Sequence, residues 1–256
     1  MSIQRYFAAL RLNCSIQLRN LWMQAVIIVI PLIMIPFMLP ACKDSLRAQG
    51  HLQANGSEQA LPGFAILFSM FSLQMVLQLF YNEHSWHTWD RLRMSTTSLF
   101  NTVMAKLSVA FLIQVVQVAV VMLVGAAIFH YRPNGSILAL TAVCLLICLT
   151  LTLFGFLNYI YSSTEEMAMS FNNILGMLLA GIGGALSPVS GFPSWAQNLA
   201  KISPIYWAMN AIDSINFQRA GLADVGSNLG VLLGFIVALI ALTAVLFKRG
   251  LKHKEA

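Results

Sequence analysis

Glu83–Lys106 reads EHSWHTWDRLRMSTTSLFNTVMAK, a polar stretch with a basic centre set between two long apolar runs. If it is helical, Trp86, Trp89 and Arg93 share one face at i, i+3 and i+7, and His84, His87 and Arg91 form a second, polar stripe. That pattern fits a short helix lying on a membrane surface, indoles down and charges out. Ser95-Thr96-Thr97-Ser98 interrupts it and offers hydroxyls to cap the helix that follows. On these residues alone, an ordinary loop between two spans is the competing reading.

The rest of the chain fits a bilayer. Of 256 residues, 58% are hydrophobic and 9% charged, where a soluble domain carries about 25% charged residues. The net charge is +6, from 15 Lys and Arg against 9 Asp and Glu. In a membrane protein such an excess reflects loop orientation. No block of five like charges occurs, which excludes a nucleic-acid partner of the basic-tail kind. Cys14, Cys42, Cys144 and Cys148 are scattered, with no disulfide framework and no metal-ligand spacing, and Cys144 and Cys148 read as small core residues.

Taken in order, residues 1–20 place Ile3, Tyr6, Phe7, Leu10, Cys14 and Leu18 apart from Arg5, Arg11 and Arg19, an amphipathic interfacial helix. Spans follow at 21–39, 61–81, 103–129, 136–161, 167–186 and 229–247, each near the ~20 residues a bilayer requires. Pro31 and Pro36 are expected to kink the first. Residues 41–60 are polar and read as a loop. Ser163 and Glu166 fit a capping box opening the fifth span. Between the fifth and sixth spans, 187–228 is irregular. Trp195–Lys201 can form a short helix, and Ser203-Pro204 caps and starts a second, from Ile205 to about Phe217, too short to cross. With the N-terminus inside, the inner segments hold ten Lys and Arg and the outer ones five, which places both termini in the cytosol.

Two motifs carry a family resemblance. Glu83, Trp89, Arg91-Leu92, Ser95-Thr96 and Lys106 resemble the E-x-G-T-x-E-R-L-L-x-T-P … G-K segment of type-2 ATP-binding-cassette (ABC) transporter permeases, with Trp86, Thr97 and Ala105 departing from its Gly, Pro and Gly. Leu186–Asn210, LSPVSGFPSWAQNLAKISPIYWAMN, resembles the family's L-S-G-x-x-x-P … P-x-W-x-x-x-L-A-x-x-x-P segment. The resemblance implies an all-α integral membrane fold over 1–256. It comprises an N-terminal elbow helix, six transmembrane helices, a cytosolic coupling helix at 83–94 and extracellular-side re-entrant helices within 187–228. It further implies a bacterial cytoplasmic-membrane exporter with two permease subunits, identical or paralogous, and separate ATPase subunits that bind ATP and Mg. Its substrate would be an amphiphilic drug or antimicrobial peptide, in the manner of antibiotic-resistance efflux. A lipid-linked saccharide, or a non-energised scaffold or channel, are the alternatives. On that reading Glu83, Trp86, Trp89, Asp90, Arg91 and Arg93 couple to the ATPase, and Glu165 and Glu166 make a second cytosolic contact.

The chain itself has no G-x-x-x-x-G-K-[ST] phosphate loop, so no cofactor and no enzymatic activity are expected of it alone. No Asp, Glu, Lys or Arg lies in the middle of a span, which argues against carboxylate-coupled secondary transport. Gln74, Gln78, Gln114, Gln117, Asn172 and Asn173 are polar at depth. They read either as interhelical hydrogen bonds or as a mildly polar translocation wall. Gly176 and Ala180–Ala185, AGIGGA, allow close helix approach, inside the bundle or at a dimer seam. Glu83, His84 and His87 resemble a zinc set only superficially. Glu165-Glu166 lacks the following Arg of the CAAX-type membrane proteases, since Ser170 stands there.

Overall fold

The structure is a computed structural model and describes residues 3–18, 21–85 and 99–253. Described elements are helical: α1 (Ile3–Leu18), α2 (Leu21–Ala48), α3 (Ser57–Ser85), α4 (Leu99–Phe129), α5 (Ile137–Tyr161), α6 (Glu165–Ile182), a 3-10 turn (Val189–Gly191), α7 (Ser194–Ala200), α8 (Pro204–Gln218) and α9 (Gly226–His253). Five of them, α2, α3, α4, α5 and α9, are long and apolar enough to cross a membrane. The fifth expected span, α6, is not among them. At 18 residues it is short, and Glu165, Glu166, Asn172 and Asn173 dilute its apolar character.

The order of packing follows from where the apolar residues lie. The middle of α3, LPGFAILFSMFSLQMVLQLF, is apolar on all sides, and a helix of that kind belongs in the centre. Accordingly 82% of its span window is buried, against 17% for α2 and for α9, which lie at the periphery. Ile66, Met70 and Leu73 of α3 join Val109, Ile147, Leu151, Ile205, Ile212 and Leu232 in the main core. Ile35, Leu61, Phe64, Val118 and Val121 form a second cluster between α2, α3 and α4. Small residues bring the backbones together. Gly63 lies so close to Ala185 that a Cβ there would collide with the Ala185 carbonyl oxygen.

Several boundaries depart from the sequence reading. The first span does not stop at Leu39. α2 runs through Pro31, Pro36 and Pro40 to Ala48, so Lys43, Asp44 and Arg47 stand on a helix instead of a loop. Gly50, at φ +94°, supplies the break. α6 stops at Ile182, short of Leu186, in a Schellman turn. Gly184 takes φ +86°, the Ala185 N–H bonds Ala180 O at 3.0 Å and the Gly184 N–H bonds Gly181 O at 3.4 Å. The N-cap of α6 is Thr164, not Ser163. Its hydroxyl accepts from the Met167 N–H at 3.2 Å. Ser203 does cap α8, accepting from the Ile205 N–H at 3.2 Å, and its hydroxyl also donates to Leu179 O at 2.9 Å, fastening α8 to α6. In α1, Leu10 and Cys14 of the expected apolar stripe pack on the main core and Asn13 and Gln17 are buried with them, while Phe7 of that stripe is exposed. The Tyr6 hydroxyl donates to Ser108 Oγ at 2.7 Å and joins α1 to α4.

Candidate functional site

The connections sort the bundle into two ends. At one, α3 leads into residues 86–98 and α4 leads out. Here the Lys106 ammonium donates to Leu79 O at 2.7 Å and stands 4.9 Å from the centre of the Phe80 ring. Lys106 is 1% exposed. A cation among the last turns of α3 is favoured by the carbonyl dipoles that point that way. Phe80 packs on Phe156 and Tyr159 of α5, with ring centres 5.1 and 4.8 Å away. The Tyr81 hydroxyl donates to Ser162 O at 3.1 Å, and Asn158 Nδ2 donates to Ala168 O at 2.8 Å. These bonds hold the start of α6, with Glu165 and Glu166, at the same end of the bundle as the helix ends flanking 86–98.

Of the expected coupling residues, Glu83 is in the last turns of α3, which runs on to Ser85, so it does not begin a separate helix. Trp86, Trp89, Asp90, Arg91 and Arg93 lie outside the described residues, as does His87.

The polar residues at depth do not form one wall. Gln74 Nε2 donates to Asn173 Oδ1 at 2.7 Å, and Asn172 Nδ2 donates to Met70 O at 3.1 Å, both between α3 and α6. Gln114 instead faces α5, where Thr152 Oγ1 lies 3.4 Å from its Oε1. Gln117, a turn away, lines a separate cavity of about 130 Å³ with Gln17, Gln24 and Met75. Gln78 is half-buried on α3. Interhelical bonding thus accounts for Gln74, Asn172 and Asn173, and Gln114 makes one long contact. The small-residue run is likewise mostly internal. Gly176 meets Met70 and Gly183 meets Ser203 and Ile205, while Gly181 has open space beside it. The outward face of α6, with Met167, Phe171, Ile174, Met177 and Leu178, is uncovered.

At the other end, Gln59 Nε2 donates to Gly184 O at 2.7 Å, Asn216 Nδ2 to Glu58 O at 3.0 Å, and the Tyr131 hydroxyl to Asn216 Oδ1 at 2.8 Å. At this end α7 and α8 border a partly open polar cavity of about 410 Å³. Asp213 of α8 lines it. The residue is half-buried, but its Oδ1 is closed off from solvent without a hydrogen-bond partner. Burial raises its carboxyl to a pKa of about 7. The sequence reading passed over this cavity. Its one local signal is Asn210 and Asp213 at i, i+3 in a helix that also carries Ser214, Asn216 and Gln218.

A profile of the ABC-2 family transporter proteins matches residues 44–245, from the end of α2 into α9. The chain belongs to the ABC-2 transporter family. It is also 25% identical, over 174 residues, to the probable multidrug ABC transporter permease YbhR of Escherichia coli K12, and equally to that of strain O157:H7. The match covers 68% of this chain and 47% of each relative, so the chain spans about half the length of the curated relatives it matches. The helix pair α3–α4 and the segment between them are the candidate site. They are the place where two long helices are tied to each other and to α5 on either side of one short polar stretch.

Proposed function

We propose that this chain is the membrane-spanning permease subunit of an ABC exporter. It would move an amphiphilic drug or antimicrobial peptide across the cytoplasmic membrane on ATP hydrolysed, with Mg, by a separate ATPase subunit. The observation that carries this reading is the Lys106–Leu79 tie at 2.7 Å, which closes the base of the α3–α4 pair around residues 86–98. A push on that segment by a partner is then delivered to both helices together and, through Phe80, to α5. Trp86 and Trp89 anchor the segment at the interface, and Glu83, Asp90, Arg91 and Arg93 meet the ATPase, with Glu165 and Glu166 as the second contact.

In this reading the excess of Lys and Arg on the side of the 86–98 segment puts both termini in the cytosol. α1 lies in the interface as the elbow helix. α6 makes the sixth crossing, its ~27 Å length slightly short of a ~30 Å core. A second permease subunit, identical or paralogous, then covers apolar faces that lipid does not. Gln117, on the wall of a cavity with Gln17 and Gln24, would contribute a polar point along the substrate's route.

The test is co-purification. The chain alone shows no ATP hydrolysis and recovers an ABC ATPase when the two are expressed together. The double reversal Arg91→Glu with Arg93→Glu still inserts, because it lies outside the apolar spans, but loses ATPase recovery and transport. One exposed ion pair is worth only about 0–1 kcal/mol, so the double change is the informative one. Unchanged ATPase recovery and full transport in that variant remove the coupling assignment.

A further inference from the structure

Asp213 lines the cavity bordered by α7 and α8, and its carboxylate has one oxygen, Oδ1, shielded from solvent, with no hydrogen-bond partner among the described residues. Lys201 lines the same cavity, but its ammonium donates to Asn198 Oδ1 at 3.2 Å. Tyr206 is the other titratable group on the wall, while Tyr131 lies close enough to feel the negative charge of Asp213 and of Glu58. Burial keeps Tyr131 in its neutral form well above neutral pH. The Glu58 carboxylate is already engaged by the Gly56 N–H at 3.0 Å. An ionised carboxylate in such a place is costly unless something neutralises and hydrogen-bonds it.

The surroundings define the chemistry of the missing partner. About 410 Å³ is within the range of small-molecule sites, and the wall is mostly polar. Asn210 Oδ1 accepts from Asn228 Nδ2 at 3.3 Å, which leaves the Asn210 amide hydrogens directed elsewhere. Gln49 and Ser190 add further donors and acceptors. A metal ion fits poorly, since no group of three His, Cys, Asp or Glu occurs among the described residues. A single carboxylate amid amides and hydroxyls matches one ammonium on a hydroxyl-rich carrier.

We propose that this cavity is a binding site for a small hydroxylated amine, its ammonium held by Asp213 and its hydroxyls by the amide and hydroxyl groups of the wall. The site is at the end of the bundle away from residues 86–98, and it is independent of whether that segment couples to an ATPase. The amine supplies the N–H donors and the positive charge that Asp213 lacks.

The probe is N-methylglucamine, with sorbitol as its neutral, equally hydroxylated counterpart. Binding is measured by equilibrium dialysis on the full chain in nanodiscs at pH 8. Saturable N-methylglucamine binding is expected, with sorbitol at least tenfold weaker. Asp213→Asn loses at least tenfold in affinity with its melting transition intact, while Lys201→Met retains or strengthens binding. Should Asp213→Asn fail to fold, the wild-type pH profile decides. Affinity falls roughly tenfold from pH 8 to pH 6, as the fraction of ionised Asp213 does. Equal binding of the two probes, no N-methylglucamine binding up to solubility-limited concentrations, or a flat pH profile overturns the proposal. So does binding that emerges only in Lys201→Met, since Lys201 would then be the internal counter-ion. Each readout uses the chain without an ATPase, so failure here and failure of coupling are separable.

Discussion

The Nζ of Lys106 on α4 lies 2.7 Å from the carbonyl oxygen of Leu79 on α3, within a residue that is 1% exposed. A buried ammonium is stable only with partners, and this one joins two helices that the chain connects solely through residues 80–105. Lys106→Met keeps the length of the side chain and removes its charge and its donors. The expected cost is about 1–3 kcal/mol, the scale for breaking a buried charged hydrogen bond. Denaturant titration in detergent measures it. On the coupling reading the same variant also recovers less ATPase per unit of inserted protein, and a variant with wild-type stability and recovery contradicts the tie.

Gly63 and Gly181 give opposite outcomes for the same change. At Gly63 a methyl group meets the backbone carbonyl of Ala185, which cannot rotate away, whereas Gly181 has open space. Gly63→Ala is expected to destabilise by about 1–3 kcal/mol, as overpacking does. Gly181→Ala, inside α6, is expected to be neutral or to stabilise by up to about 1 kcal/mol through helix propensity. Paired thermal melts of the two variants check this. If a second subunit packs over the outward face of α6, Gly181→Ala instead weakens dimer recovery.

Gln114 and Asn158 are both buried amides, but only one is well held. The single hydroxyl proton of Thr152 goes to Cys148 O at 2.8 Å, so its 3.4 Å contact with Gln114 is weak, and Gln114 Nε2 has no partner. Gln114→Leu is expected to change stability by less than about 1 kcal/mol, because it removes an amide that is already unsatisfied. Asn158 donates to Ala168 O at 2.8 Å and accepts from Ser162 Oγ at 3.0 Å across the α5–α6 connection. Asn158→Leu is expected to cost about 1–3 kcal/mol. Chemical denaturation separates the two, and transport assays of Gln114→Leu report any shift in substrate preference with coupling intact.

Asp213 makes stability depend on pH. Its folded pKa, about 7, stands above the ordinary carboxylate value of 3.8, so the fold prefers the protonated acid. The stabilisation from that preference is complete below about pH 4 and is lost as pH rises through about 7. Asp213→Asn cannot ionise. It is therefore expected to melt higher than the wild type at pH 8 and nearly level with it at pH 4. Parallel melting curves at the two pH values test the sign, and an advantage at pH 4 that vanishes at pH 8 contradicts it. N-methylglucamine should raise the wild-type midpoint at pH 8 and leave that of Asp213→Asn unchanged.

Much of the architecture is legible locally. Apolar runs of span length marked α2, α3, α4, α5 and α9, and Ser203-Pro204 marked the start of α8. Helix ends were less legible. The polar residues after Leu39 suggested a loop, yet α2 runs on through Pro40 to Ala48, and the chain turns only at Gly50 with its positive φ. The shift from Ser163 to Thr164 at the α6 cap has a similar basis, since either hydroxyl satisfies the local rule and the geometry selects one.

Composition, apolar run lengths and two motifs determined by themselves that this is an all-helical membrane protein with the marks of an ABC-2 transporter chain. Those properties depend on short segments and on the bilayer, which reads hydropathy without reference to partners. Only the tertiary structure decided that α3 is central, that Lys106 is buried against Leu79, and that Gln74, Gln114 and Gln117 look onto three different surroundings. It alone placed Asp213, with its orphaned oxygen, in the wall of a cavity. Each of these depends on which faces of distant segments meet. In a chain whose helices are apolar on most sides, the polar pattern that would announce those faces in sequence is too sparse to do so.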